Sequence, residues 1–402
     1  MAAKNRKSYF GPGFLVTAAF IGPGTVTSCS LAGARFGYSL IYALVFATVT
    51  TIILQEMTGR LSLGSGRDLG QAFREFPKNR TIKVLFALLA LSSITLGCAA
   101  YEAGNVIGGA LGLEMLFPFP RRVWVALITL CAVFVLSRGK YQLIERILVF
   151  LVFLMSFSFL VTLVIIKPDL TSILRGIIPS FPGNSLYLVL ALVGTTVVPY
   201  NLFLHSSAVR EKWDSPSQMR DVRRDLILSV CLGGMISSSI VIASAVAFHE
   251  KGVFLEKGIQ LAEQLQPLFG SFTTILFGLG FFAAGMSSAI TAPYAAAFAA
   301  SGILGWEGDQ KSPRFRAVCY GVILTGFIVS CFELNPLAVI VFAQVANGLI
   351  LPVASLFLLA VLNNARKMGK LANNLRQNIL GGIVIFLVSF LGIWNIVRLF
   401  LK

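Results

Sequence analysis

The chain is short of charge. Only 12% of its 402 residues are Asp, Glu, Lys or Arg, about half the share of a soluble domain. Acidic residues are the scarcest: 17 Asp and Glu stand against 33 Lys and Arg, a formal charge of +16. Histidine is nearly missing, with His205 and His249 alone. None of the six cysteines stands in a CxxC pair, so a metal centre of His and Cys ligands is not expected. No GxxxxGK[ST] loop is present, which removes ATP-driven transport. No HExxH motif or paired catalytic carboxylates occur, which argues against an enzyme. A cleavable leader is not expected either. The basic start (Lys4, Arg6, Lys7) runs from Phe10 into apolar sequence without a clean cleavage site.

What fills the chain is apolar. It is 56% hydrophobic, with 33 Phe and 37 Gly. That load excludes a disordered basic nucleic-acid binder and an ordinary soluble enzyme. It predicts an all-α polytopic membrane protein. Eleven stretches are long enough to span a bilayer: about 10–33, 39–59, 82–113, 123–137, 144–166, 185–209, 225–248, 268–302, 316–334, 336–361 and 377–399. With a cytoplasmic N-terminus, 24 of the 33 basic residues fall on the inner side. These include Lys78, Arg80, Lys140, Arg210, Arg223 and Arg366. Nine fall outside, Arg35, Lys167, Lys251 and Lys402 among them. Most of the positive charge is therefore a topology signal, with the C-terminus extracellular. The six cysteines lie in or beside apolar segments and are expected to be small buried residues.

Two spans are interrupted at their centres. The first reads AAFIGPGTVTSCS, with Gly22, Pro23, Gly24 and Thr25 in its middle. The sixth reads LVGTTVVPYNLFLHSS, with Gly194, Thr195, Thr196, Val198, Pro199, Tyr200 and Asn201. Proline removes an amide and clashes with the preceding turn, and glycine permits non-helical backbone. Peptide groups freed at mid-membrane must face protein or a cavity. Two such breaks five spans apart predict inverted repeats that meet at a central site.

These residues also resemble a known family. The stretches GPGTVTSCSLAGARFGY (22–38), LQEMTGRLSLGSGRDL (54–69), VVPYNLFLHS (197–206), LGFFAAGMSSAIT (279–291) and FAQVANGLILPVA (342–354) are similar to the Nramp (natural resistance-associated macrophage protein) secondary transporters. The resemblance implies a LeuT-like fold. Residues 1–170 form the first repeat, with helix 1 broken near 22–25. Residues 171–362 form the second, with helix 6 broken near 195–201. Residues 363–402 add helix 11. It implies alternating access and a cargo of divalent transition metal, usually moved with protons.

The same resemblance marks departures. The first break of the family usually reads DPGN; here it is Gly22, Pro23, Gly24 and Thr25. The second usually reads MPHN; here it is Val198, Pro199, Tyr200 and Asn201. The backbone ligand three residues before that methionine corresponds to Thr195. The Asp-x-x-Glu of the third span becomes Glu102 and Asn105, and the Gln after AAG in the eighth becomes Met286. A divalent cation needs anionic or dense oxygen ligation; Gly22, Thr25, Thr195 and Tyr200 are neutral. The expected substrate is therefore a small anion such as bicarbonate, held by Gly22, Gly24, Thr25, Thr195, Thr196, Val198, Tyr200, Asn201 and Met286. The alternative is a divalent cation, Mg2+ or Mn2+. Glu102, Asn105 and His205 are the candidates for coupling to H+ or Na+. Each also has a plainer reading as a buried hydrogen-bonding partner or packing residue. Met286 and Asn347 are open to the same plain reading. Glu56 and Arg60 form an i,i+4 pair, and Arg35 is an interfacial cation. The partners expected are an inorganic ion and the lipid bilayer, not nucleic acid, and the chain is expected to work as a monomer without a resident cofactor.

Overall fold

The computed structural model describes residues 11–76, 79–138, 142–306, 311–332 and 334–400. Lys4, Arg6, Lys7, Phe10, Lys78, Lys140 and Lys402 lie outside them. Among the described residues every regular element is helical. Helix is present at all eleven positions where the sequence places a span. The first span is two pieces, α1 (Pro12–Phe20) and α2 (Pro23–Phe36). Then follow α3 (Ile41–Ser65), the short α4 (Leu69–Glu75), α5 (Arg80–Leu116), α6 (Arg121–Arg138), α7 (Gln142–Ile166) and the short α8 (Leu170–Gly176). The sixth span is again two pieces, α9 (Leu186–Thr196) and α10 (Pro199–Lys212). The rest is α11 (Met219–Ser244), α12 (Gln266–Phe269), α13 (Thr273–Leu304), α14 (Pro313–Cys331), α15 (Pro336–Leu362), α16 (Ala365–Met368) and α17 (Leu375–Phe400). Nine of the described helical segments are long and apolar enough to cross a membrane. The α1–α2 pair and the 18-residue α6 are the expected spans outside that set.

Burial separates the helices into an inner and an outer group. In the α9–α10 span 89% of the most apolar window is buried, against 33% in α7 and in α17. The outer helices turn Leu130, Phe150, Val164 and Phe386 outwards, the inversion expected where the solvent is hydrocarbon. This corrects the expectation for cysteine. Cys29, Cys98 and Cys319 are buried, but Cys131, Cys231 and Cys331 are exposed. In lipid an exposed thiol costs little, so an apolar neighbourhood does not imply burial.

Without a hydrophobic drive between helices, close packing depends on small residues. A methyl at Gly112 of α5 would lie 2.4 Å from the Phe282 amide of α13. One at Gly285 would lie 2.3 Å from the Gly109 amide. The two long helices cross backbone to backbone there. Gly33 does the same for α2 against α11, 2.2 Å from the Val241 carbonyl. At the end of the bundle holding the α3 C-terminus, Arg60 is 2% exposed. It bonds Glu56 at 2.8 Å and Asn373 Oδ1 at 2.6 Å. Arg223 of α11 reaches the other oxygen of Glu56 at 2.7 Å. The Glu56–Arg60 pair is thus structural and ties α3 to α11 and to the start of α17. The start of α1 is tied to α11 as well, through a 2.7 Å bond from the Gly13 amide to Asp225.

Candidate functional site

The two breaks begin alike and both stay extended up to their proline. Ile21 ends α1 at φ −82°, ψ 86°, and Val197 ends α9 at φ −100°, ψ 75°. One residue later Gly22 and Val198 are extended, and Pro23 and Pro199 each open the following helix. Each interruption is therefore two residues long and lies before its proline, not across it. The reason is that proline suits the first position of a helix, where its missing amide is not needed. Thr25, Tyr200 and Asn201 consequently stand in the first turns of α2 and α10, and Thr195 and Thr196 in the last turn of α9.

Glycines seat both breaks against the bundle. Pro23 rests on Gly108 of α5, where a methyl would come within 2.3 Å of its ring. Gly194 rests on α15, where a methyl would come within 1.9 Å of the Gln344 carbonyl. The Gln344 side chain lies over Gly24, its Nε2 2.1 Å from the place a methyl would take. Gln344 therefore touches both broken spans.

One hydrogen bond joins the breaks directly. Thr25 Oγ1 and Thr195 Oγ1 are 2.7 Å apart, both fully buried. Thr25 also donates to the Phe20 carbonyl, at the end of α1. A hydroxyl has one proton, so with both bonds made Thr195 is the donor to Thr25. Thr196, by contrast, donates to Leu192 of its own helix at 3.0 Å, which removes its hydroxyl from the centre. Its carbonyl accepts from Thr51 at 3.4 Å.

The polar ends of the helices are unequally served. The Phe20 carbonyl accepts from the Gly22 amide at 3.1 Å as well as from Thr25. The amide ends are bare: no side chain caps α2 or α10. The amides of Gly24, Thr25 and Tyr200 lie in first turns, where the helix supplies no acceptor. Each break thus sets the positive end of one helix beside the carbonyl end of the one before it, at a centre where no described carboxylate touches either break. Groups of three or more His, Cys, Asp or Glu able to hold a metal ion are absent among the described residues.

Around the breaks sit buried polar atoms that make no hydrogen bond among the described residues. They are the hydroxyls of Tyr101 and Tyr200, both amide atoms of Asn201, Gln344 Oε1 and Asn347 Nδ2. The rings of Tyr101 and Tyr200 meet edge to face with centroids 5.8 Å apart. Such unpaired groups are rare in folded proteins and each calls for an explanation. Met286 lies in the apolar core of α13, and Val198 is buried likewise. Ser288, two residues along α13, faces Gly22 instead. Tyr101, Ser288 and Gln344 were not among the residues singled out from sequence. The only signal for them was a polar side chain within an apolar span.

Of the coupling candidates, Glu102 and Asn105 lie on α5 between Tyr101, which meets Tyr200, and Gly108, which seats Pro23, while His205 lies further along α10. Glu102 is fully buried; Asn105 donates to its Oε2 at 3.4 Å, and Oε1 is unpaired among the described residues. Its side chain packs on Gly326 of α14, where a methyl would sit 2.5 Å from its Cγ. His205 is fully buried in α10 with Nδ1 2.8 Å from Thr58 Oγ1. Thr58 also donates to the Gln55 carbonyl at 2.8 Å. With both bonds made, Nδ1 carries the proton and Nε2 is left as an acceptor.

Two broken helices facing each other inside an all-helical, membrane-length bundle define a transporter of LeuT-like fold. The fold matches a manganese transporter of Eremococcus coleocola with a TM-score of 0.79, at 22% identity, over 97% of this chain and 86% of that one. It also matches MhsT in complex with L-phenylalanine, TM-score 0.61 and 14% identity, over 94% of this chain and 98% of that one. Residues 13–398 match the model of the natural resistance-associated macrophage protein-like family, and the chain belongs to it. A relative from Nostoc sp., described as the divalent metal cation transporter MntH, is 31% identical over 97% of this chain and 91% of its own length. The chain is thus a multi-pass membrane transporter and not an enzyme.

Proposed function

We propose that the protein is a secondary transporter that moves a small inorganic ion by alternating access, with the ion bound between the breaks at 21–22 and 197–198. Two helix breaks that each run two residues before a proline support this; the reading includes inverted repeats over about 1–170 and 171–362. The basic-residue asymmetry supports a cytoplasmic N-terminus.

Site and kinship point to different ions. Kinship favours a divalent cation, since the Nostoc relative is described as carrying one. The donor set favours a small anion such as bicarbonate, and one observation carries that reading. The helix amide ends at the breaks are uncapped while the Phe20 carbonyl is doubly occupied. A dehydrated divalent cation there would meet hydroxyls, the amide oxygens of Asn201 and Gln344 and the carbonyl ends of α1 and α9, all of them neutral, and burying such charge without an anionic partner is costly. A small anion meets donors. Glu102 and His205 are the groups proposed to take up a coupling proton.

Purified protein in liposomes separates the readings. Labelled bicarbonate, Mn2+ and Mg2+ are offered in parallel, with and without a pH gradient. Saturable bicarbonate uptake with no Mn2+ uptake supports the anion. Mn2+ uptake competed by Cd2+ establishes the cation and removes the anion.

A further inference from the structure

Gly22 is extended, at φ −132° and ψ −172°, a conformation open to every residue. Its backbone therefore does not demand glycine; the space in front of it does. A methyl there would lie 3.1 Å from Ser288 Oγ of α13 and 3.9 Å from the Tyr101 hydroxyl of α5. The first distance is tighter than ordinary contact. Two hydroxyls from two different helices therefore converge on the point where a side chain at position 22 would begin.

Neither helix had to present a hydroxyl there. Tyr101 is 1% exposed; its hydroxyl neighbours that of Tyr200, and neither makes a hydrogen bond of ordinary geometry among the described residues. A buried phenol left unpaired forfeits its solvation without return. The other donors at the same point belong to the uncapped first turn of α2, the amides of Gly24 and Thr25. Four donors from three chain segments thus surround the end of the first break.

We propose that Tyr101 and Ser288 are specificity-determining residues that donate hydrogen bonds to an oxyanion seated against Gly22 and the first turn of α2. The assignment rests on the anion reading given above and narrows it. A planar oxyanion of the bicarbonate class offers several acceptor lone pairs to these four donors. A bare cation would use only the lone pairs of the two hydroxyls and would face the protons of the two amides. Gly22 then serves two ends: it leaves the amide end of α2 open, and it adds no side-chain acceptor, its carbonyl being taken by the Val26 amide.

The test is uptake of labelled bicarbonate into liposomes by the full chain and by S288A, Y101F, S288T and G22D. Loss of a hydrogen bond to a charged group should raise KM about tenfold or more in S288A and in Y101F. The thermal midpoint of S288A should stay that of the parent, and S288T, which keeps the hydroxyl, should restore KM. G22D, which sets a carboxylate against the donors, should abolish uptake. Should Y101F fail to fold, the S288A and S288T pair decides alone. Bicarbonate uptake with KM unchanged in S288A and Y101F overturns the assignment and leaves the anion reading standing. Uptake of Mn2+ but not bicarbonate by the parent chain overturns both.

Discussion

Thr195 donates a 2.7 Å hydrogen bond to Thr25 across the centre of the molecule, and Thr25 in turn donates one to the Phe20 carbonyl. The chain of bonds is directional, so the two threonines are not equivalent. Replacing Thr25 with valine leaves the fully buried Thr195 hydroxyl without that acceptor. Replacing Thr195 leaves Thr25 still bonded to Phe20. T25V should therefore lower stability by about 1–3 kcal/mol and T195V by about 1 kcal/mol or less. Thermal unfolding of both variants and of the double variant should show a shared term, because the residues belong to one network. Equal single effects that simply add would contradict the direction assigned to the bond.

Glycine at the breaks answers to two kinds of neighbour. At Gly194 an added methyl meets main chain, 1.9 Å from the Gln344 carbonyl. At Gly24 it meets the movable end of the Gln344 side chain at 2.1 Å. G194A should cost about 1–3 kcal/mol or more through overpacking, and G24A clearly less. Comparing the two melting temperatures checks this; a more damaging G24A would place Gln344 differently.

The cluster around Glu56 contains one buried and one open arginine. Arg60 has a side chain 3% exposed, while that of Arg223 is 46% exposed. Removing Arg60 leaves Glu56 partly buried beside empty space, and breaking a buried pair costs about 3–5 kcal/mol. Glu56 retains some water and keeps Arg223, so R60A should fall near the lower end. R223A should cost no more than about 1 kcal/mol. Chemical or thermal unfolding of the pair would show whether the order holds.

Outside the membrane-spanning segments, Asp169 caps α8. It accepts from Ser172 Oγ at 2.6 Å and from the amides of Thr171 and Ser172 at 3.0 Å. The Ser172 hydroxyl first, then the two amides, hold its carboxyl below the ordinary value of 3.8. A depressed carboxylate stabilises fully above its unfolded value and loses that contribution as pH falls through the lower folded one. Protection of the Thr171 and Ser172 amides from hydrogen exchange should therefore persist at pH 5 and drop only below the ordinary carboxylate range. D169N should show weaker protection at both.

Orientation can be read by labelling. In a chain freed of its native cysteines, a cysteine placed at Arg74 of α4 should be closed to an impermeant maleimide in intact cells. One placed at Phe254, exposed at the opposite end, should react. The reverse pattern would invert the proposed topology.

The placement of helices was legible because spanning a bilayer takes about 20 apolar residues and no other feature imitates that. The breaks were legible because Gly and Pro act on the local backbone. Even there the sequence drew the first break near 22–25 where it is 21–22, and the second near 195–201 where it is only 197–198, since it could not tell a proline inside an interruption from one that begins the next helix. The site was legible in part. Thr25, Thr195, Tyr200 and Asn201 lie in the broken spans and were named at once. Thr196 was named for the same reason, yet its hydroxyl turns back to Leu192.

By itself, then, the sequence determined an all-helical membrane transporter, its two broken helices and its family, all of which rest on local composition and short motifs. Only the tertiary structure decided which polar groups face the breaks. A helix apolar on every side carries no periodic mark of its inner face. Tyr101 and Ser288 are 187 positions apart, and nothing short of the packing of α5 and α13 against the first break brings their hydroxyls to Gly22.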